Sequence, residues 1–316
     1  MMSEEILVVK NLKKYFTTDL GVVKAVDGIS FSINTGETFG LVGESGSGKS
    51  TTAFTVMGVY QPTEGEMYFE GTPLGQKRSR SLKKEMQMVF QDPGSSLNPR
   101  RSVQQIIEVA LKVHNLYPGK ERARIMELLD IVGLPTDFID RYPQAIGGGE
   151  KQLIAIARAL STDCSFIALD EPTSSLDVSM QAKIINTLLR IQKELNLSYL
   201  FITHNLSLMR NVATRVGIMY LGKIVEIAPA SEFFHKPLHP YTKMLISSIP
   251  VITKEEEELK PERVISRGEI PSPVNMPPGC TFNPRCIECT EPCTSKEPTM
   301  IEIEPDHFVS CHLFNK

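Results

Sequence analysis

No apolar run in this chain of 316 residues approaches the length of a membrane-spanning helix, so no passage through a bilayer is expected. Net charge is almost absent: 34 Lys and Arg against 37 Asp and Glu leave −3. Bulk electrostatics therefore give no reason to expect a nucleic acid or an anionic lipid surface as partner. The opening MMSEEILVVK has early acids and no apolar core, unlike a secretory signal, and the expectation is a protein that stays in the cytoplasm. Cysteine is scarce until the end. Cys164 stands alone in an apolar setting and reads as a small core residue, while the other five fall between Cys280 and Cys311. In a reducing compartment such a cluster reads as a metal site rather than a disulfide framework.

Against these absences stands GESGSGKS, Gly43 to Ser50. A phosphate cradle needs glycines so that successive N–H groups turn toward one anion, a lysine to reach the outer phosphates, and a hydroxyl to hold Mg²⁺. Gly43, Gly46 and Gly48 supply the loop with Glu44, Ser45 and Ser47 between them; Lys49 supplies the charge and Ser50 the metal contact. Glu37 to Val42 reads as a strand before it. Thr51 to Val59 reads as a helix after it, its positive N-terminus facing the phosphates.

Short strands are expected at Ile6 to Val9, Val22 to Ala25, Ile29 to Ile33, Glu66 to Phe69 and Gln87 to Phe90. Val103 to Leu134 carries helical spacing and reads as a helical insertion. Gly147 to Gly149 is a turn that opens a helix over Gln152 to Leu160, and Ser179 to Leu195 is a further helix. Phe166 to Leu169 and Tyr199 to Thr203 are continuous apolar runs, as buried parallel strands require. Val216 to Tyr220 and Lys223 to Ile227 flank Leu221-Gly222 as a hairpin. Alternating strands and helices imply an α/β fold with a mainly parallel sheet covered on both faces. Composition changes after about Phe234. Lys254 to Lys260 (KEEEELK) reads as a solvated linker or helix end, and the basic Lys77 to Lys84 as a solvated surface. The tail beyond Pro261 is rich in proline and poor in apolar residues. It is expected to need help to fold, which a metal would provide.

Asp170 and Glu171 follow the strand Phe166 to Leu169. Downstream of a phosphate loop, the first acid can hold Mg²⁺ through water and the second can polarise an attacking water. Gln91, at a strand end, is placed to sense the γ-phosphate and the metal. His204, ending another buried strand, is placed to contact the γ-phosphate.

GESGSGKS, VFQDP, IGGGEKQ, FIALDEPTSSLD and FITHN occur in the order of ATP-binding cassette ATPases, which this chain resembles. The resemblance implies a Walker A loop at Gly43 to Thr51, a Q-loop at Gln91, and a signature loop at Ile146 to Glu150 with Gly147, Gly148 and Gly149. It also implies Walker B at Asp170, the catalytic base Glu171, a D-loop from Ser174 to Asp177, the switch histidine His204, and Phe16 as the aromatic on adenine. A strand-end core residue is the plainer reading of Phe16. Mg²⁺ falls to Ser50, Gln91 and Asp170.

Further segments, VKAVDGISF, SSLNPR, YLGKIVEIAP, PLHPYTKMLISSIP, GCTFNPRC and SCHLF, are similar to oligopeptide/dipeptide importer ATPases of the OppF/DppF type and extend the likeness over nearly the whole chain. The family implies a P-loop NTPase core, an N-terminal antiparallel β subdomain, a helical insertion at about 92–160, and a cassette over 1–235. A C-terminal extension over 236–316 would hold a Cys-rich segment at 280–311. It further implies a heterodimer with a D-type ATPase, two membrane permeases, an external solute-binding protein, a peripheral place on the cytoplasmic face of the cell membrane, and no nucleic acid. Two ATPs would lie between the subunits, each held by the Walker motifs of one chain and the signature loop of the other. The segment after Gln91, with the helical insertion, would receive the permease's coupling helix.

The signature departs from the usual LSGGQ, with Gly147 where the serine stands and Glu150 where the glutamine stands. Losing one charge-assisted hydrogen bond to phosphate costs about 1.5–3 kcal/mol. The expectation is asymmetric hydrolysis, with this chain's own Walker site active and the partner's site mainly binding. Asn205 stands where the family often has Asp.

Cys280-x5-Cys286-x6-Cys293-x17-Cys311 matches the four-cysteine pattern of this family, in which some members hold a 4Fe–4S cluster. Cys289 is an extra thiol and an alternative ligand. Its pair Cys286-x2-Cys289 by itself suggests zinc, which His307 and His312 could join. Importers of oligosaccharides or nickel chelates are the alternative within the family. A soluble cassette protein acting on ribosomes or DNA, or a weakly hydrolysing regulatory module, is the alternative outside it.

Overall fold

The computed structural model describes residues 4–249 and 268–314; the charged run Lys254 to Lys260 lies outside them. Twelve strands occur among the described residues: β1 Glu5–Thr18, β2 Gly21–Asn34, β3 Thr38–Val42, β4 Glu64–Phe69, β5 Thr72–Pro73, β6 Met86–Val89, β7 Phe166–Asp170, β8 Ser198–Thr203, β9 Arg215–Tyr220, β10 Lys223–Pro229, β11 Met300–Glu304 and β12 His307–Ser310. The first two are 14 residues each rather than the short strands expected. Gly28 sits inside β2 at φ +78, and the buried positions change phase across it from Val26 to Ile29, Phe31 and Ile33. That irregularity makes one strand read as two.

The chain forms two compact units. One takes Met1–Ile6, Ile33–Glu37 and Gly75–Ile202. In it β6, β7 and β8 lie parallel with β7 central. β7 and β8 are buried along their whole length, which is why their sequences carry no alternation. The helical insertion contains Val103–His114 and Glu121–Ile131. The first opens on a capping box, with the Ser102 hydroxyl accepting from the Gln105 N–H and the Gln105 side chain accepting from the Ser102 N–H. The helix expected from Gln152 begins at Gly148, so two of the three glycines form its first turn.

The other unit takes Leu7–Ser32, Thr38–Leu74 and Thr203–Lys316. It contains the antiparallel sheet β2-β1-β4-β5 and the run β11-β12-β10-β9-β3. In that run β3 and β9 are parallel, whereas β9, β10, β12 and β11 pair antiparallel. The β9–β10 turn uses Leu221 at φ +43 and Gly222 at φ +80, the doubly left-handed geometry that suits a two-residue hairpin.

The C-terminal tail is anchored more firmly than its composition suggests. β12 extends the sheet beside β10, and Phe282, Cys293, Val309 and Cys311 are buried. The fully buried Glu226 carboxylate accepts the N–H groups of Leu238 and His239 at 2.9 and 2.8 Å and meets His307 Nε2 at 2.8 Å. Strand pairing, a buried polar network and aromatic packing hold the described part of the segment.

His239 gives this region a pH dependence. It is buried, and its Nδ1 accepts the Tyr241 N–H at 3.0 Å, capping the helix Pro240–Ser247. Burial lowers its pKa from 6.5 to about 4. Below about pH 6.5 the unfolded chain takes up a proton that the folded chain refuses until about pH 4. Stability is therefore complete above that window and falls as pH drops through it, by at most about 3 kcal/mol. Urea unfolding of the wild type at pH 7.5 and pH 5 should show the loss. His239→Asn, which keeps a capping oxygen but cannot titrate, should flatten the curve.

Candidate functional site

β3 ends at the buried Val42, and the loop to the helix Lys49–Val56 is tightly constrained. A Cβ at Gly43 would lie 2.1 Å from the Met219 carbonyl oxygen. At Gly48, with φ +108, it would lie 2.1 Å from that of Ala25. Only glycine fits at either position. Lys49 is buried, and its ammonium donates to the carbonyls of Gly43 and Glu44 at 2.8 and 2.9 Å and reaches Ser47 Oγ at 3.4 Å. Ser50 occupies the first helical turn, where its hydroxyl oxygen is a donor of the kind Mg²⁺ accepts.

Phe16, on β1 in the same unit, is half-buried. It meets Tyr60 edge-on at 5.3 Å, and Lys14 Nζ lies over it at 4.8 Å. His204 follows β8, and Asn205 caps the helix Leu206–Val212 by accepting from the Leu208 N–H at 3.4 Å. Asn and Asp are both strong N-caps, which accounts for Asn205 in physical terms.

The other unit holds Gln91, Asp170, Glu171, Asp177 and the signature glycines. Asp170 is buried at the end of β7. Glu171 takes up left-handed backbone at φ +44, with its N–H donating to the Ile202 carbonyl at 2.9 Å. A strained non-glycine residue of this kind persists only where its surroundings over-determine it. Gln91 Nε2 donates to Glu171 Oε2 at 3.1 Å and to Ser174 Oγ at 3.4 Å, which joins two segments 80 or more positions apart in sequence. The segment after Gln91 is capped by Asp92, whose carboxylate accepts from Gly94 N–H, and tied by Arg158 donating to the Ser96 carbonyl at 2.8 Å.

Asp177 caps the helix Val178–Leu195. The Met180 N–H, with the Ser179 hydroxyl, holds its carboxyl below the ordinary carboxylate range. Gly147 is the N-cap of Gly148–Leu160 and has no side chain to cap with. The Glu150 carboxylate folds back over it; a Cβ built on Gly147 would lie 2.3 Å from Glu150 Oε2. Glu150 thus occupies the space a serine side chain would enter. Gly149 packs under Met180, where a Cβ would come within 2.2 Å of Met180 Cγ.

The cysteines gather without converging. Cys280 donates its N–H to the Cys293 carbonyl at 2.9 Å. Burial pushes the Cys280 thiol up to about 12 and the Cys286 thiol up to about 11, with neighbouring cysteines adding to both. Among the described residues no three His, Cys, Asp or Glu side chains are disposed to hold a metal ion.

Sequence reading missed a second set of contacts on the phosphate loop. Tyr241 Oη accepts the Glu44 N–H at 3.0 Å, and the Arg285 guanidinium forks onto the Glu44 carboxylate at 2.7 and 3.2 Å. The arginine in GCTFNPRC was the available signal, but no local pattern links it to a residue 241 positions away.

Residues 26–174 match the family model described as "ABC transporter", and residues 225–293 match "Oligopeptide/dipeptide transporter, C-terminal region". The oligopeptide transport ATP-binding protein AppF of Bacillus subtilis is 47% identical, covering 99% of this chain and 98% of the relative. The dipeptide transport ATP-binding protein DppF of Haemophilus influenzae is 40% identical over 95% of this chain and 94% of its own. Among solved structures, cbiO1 from Clostridium perfringens, part of the ABC transporter complex cbiONQ, matches with TM-score 0.66 and 28% identity, covering 74% of this chain and 92% of the other. The cassette MJ0796 in a dimeric post-hydrolysis state bound to ADP and Pi matches with TM-score 0.64 and 26% identity, covering 71% and 98%.

Proposed function

Since the chain belongs to the ATP-binding cassette family of oligopeptide and dipeptide transport ATP-binding proteins, we propose that it is the ATP-hydrolysing subunit of a peptide importer. The observation that carries the reading is similarity over almost the whole chain, extension included. Lys49 and the loop N–H groups hold the phosphates, Glu171 is the base for the attacking water, Gln91 and His204 sense the γ-phosphate, and Phe16 stacks on adenine. Ser50, Gln91 and Asp170 would hold Mg²⁺, which would supply neutralisation of the phosphate charge.

The cassette is taken as 1–235 and the extension as 236–316. The working unit is a heterodimer with a D-type ATPase beneath two permeases, on the cytoplasmic face of the membrane, supplied by an external solute-binding protein. No helix among the described residues is long and apolar enough to cross a membrane. Val109 and Val113, one turn apart and exposed on Val103–His114, support the insertion as the permease contact. The two composite sites are unequal, the one completed by Gly147 being slower.

Uptake of a labelled peptide into vesicles carrying the complete transporter tests the reading. ATP-dependent uptake that Lys49→Ala abolishes supports it; ATP turnover with no response to any peptide sinks it. The cluster proposal rests on cysteine spacing alone. Iron and sulfide assays after anaerobic purification should find about four of each per chain if it is correct. Zinc at about one per chain would indicate the Cys286-Cys289 pair instead.

A further inference from the structure

The phosphate loop has one acidic residue, Glu44, placed among groups that are to receive a polyphosphate. An unpaired carboxylate there opposes the ligand's charge. It is not unpaired. Arg285, only 7% exposed, binds it through both terminal nitrogens, the fork geometry that fixes orientation as well as charge. Arg285 is itself held. Its guanidinium lies 5.7 Å from the ring centroids of both Tyr220 and Phe282, and its backbone N–H donates to the Phe282 carbonyl at 3.0 Å. Phe282 is packed edge-on to Tyr220 and tilted against Tyr241, each at 5.3 Å. Tyr241, from the capped helix Pro240–Ser247, takes the Glu44 N–H. Both the main chain and the side chain of Glu44 are therefore held by the C-terminal extension.

We propose that Arg285 is a positioning residue for nucleotide binding: it neutralises and fixes Glu44, so the Cys-rich extension sets the ATP affinity of the phosphate loop. The inference rests on the reading of Gly43 to Thr51 as the phosphate loop.

Binding of a fluorescent ATP analogue with Mg²⁺ to the full chain, read beside thermal melting, tests it. Arg285→Gln leaves the carboxylate uncompensated and is expected to weaken binding about tenfold or more. Arg285→Lys keeps the charge without the fork and should lose about threefold. Adding Glu44→Gln to Arg285→Gln removes the repulsion and should recover most of the affinity. If Arg285 merely anchors the tail, the double variant will bind as poorly as the single one, and the proposal fails. It also fails if Arg285→Gln melts lower but binds normally. Should Arg285→Gln not fold, the Lys variant decides, unchanged affinity overturning the proposal. Lys49→Ala is the control: if it too binds normally, the phosphate-loop reading is at fault rather than the coupling.

Discussion

Glu171→Gln, in the heterodimer proposed above, should remove nearly all ATP turnover while ATP still binds. Glu171 is held for one task. Its backbone is in a left-handed conformation at φ +44, its N–H is fixed on Ile202, and its carboxylate accepts from Gln91. Glutamine preserves size and hydrogen bonding but cannot take a proton from water. A positioned base contributes about 10²- to 10⁴-fold, so the loss at this site should exceed about a hundredfold. The whole-complex rate separates the two mechanisms. Near-complete loss means the site completed by Gly147 is slow. Survival of about half means both sites turn over and the asymmetric scheme is wrong. Gly147→Ser is the converse change. It places a hydroxyl at the helix N-cap, where Glu150 can move aside, and should raise turnover of the partner's site roughly tenfold if the missing hydroxyl is the cause. Its effect on stability should be only a few tenths of a kcal/mol, since glycine is a tolerable N-cap.

Glu226→Ala should destabilise the chain by about 3–5 kcal/mol, the penalty for removing one partner from a buried charged network. The carboxylate is fully buried and satisfies two backbone N–H groups and His307 at once. Alanine strands all three and leaves a void between β10 and β12. Urea unfolding measures the loss. Limited proteolysis should show new cleavage beyond Leu238 before the remainder of the chain is attacked. Glu226→Gln keeps the shape and should recover part of the loss. A melting curve unchanged by the alanine substitution would mean that the tail is held by its strands alone.

The placement of GESGSGKS, Asp170 and Glu171 at strand ends was legible because a buried apolar run that stops at glycine or acid marks where a strand ends. So were β7 and β8, whose unbroken apolar runs admit no exposed face. The length of β2 was not, because Gly28 shifts its buried face. The helix start at Gly148 was hidden because glycine is also the residue of turns. Asn205 and Asp177 carried capping roles that their motif positions concealed.

The motifs lie in short local patterns: a glycine-rich loop ending in Lys49 and Ser50, two acids at the end of a buried strand, and Gly147 where the signature usually has serine. Such properties depend on residues adjacent in the chain. What the extension packs against appears only in three dimensions. The Glu226–His307 pair, the β10–β12 pairing and the Glu44–Arg285 fork join residues 81 and 241 positions apart or strands separated by most of the tail. Pairing at that distance is set by how burial brings surfaces together, and no spacing rule encodes it.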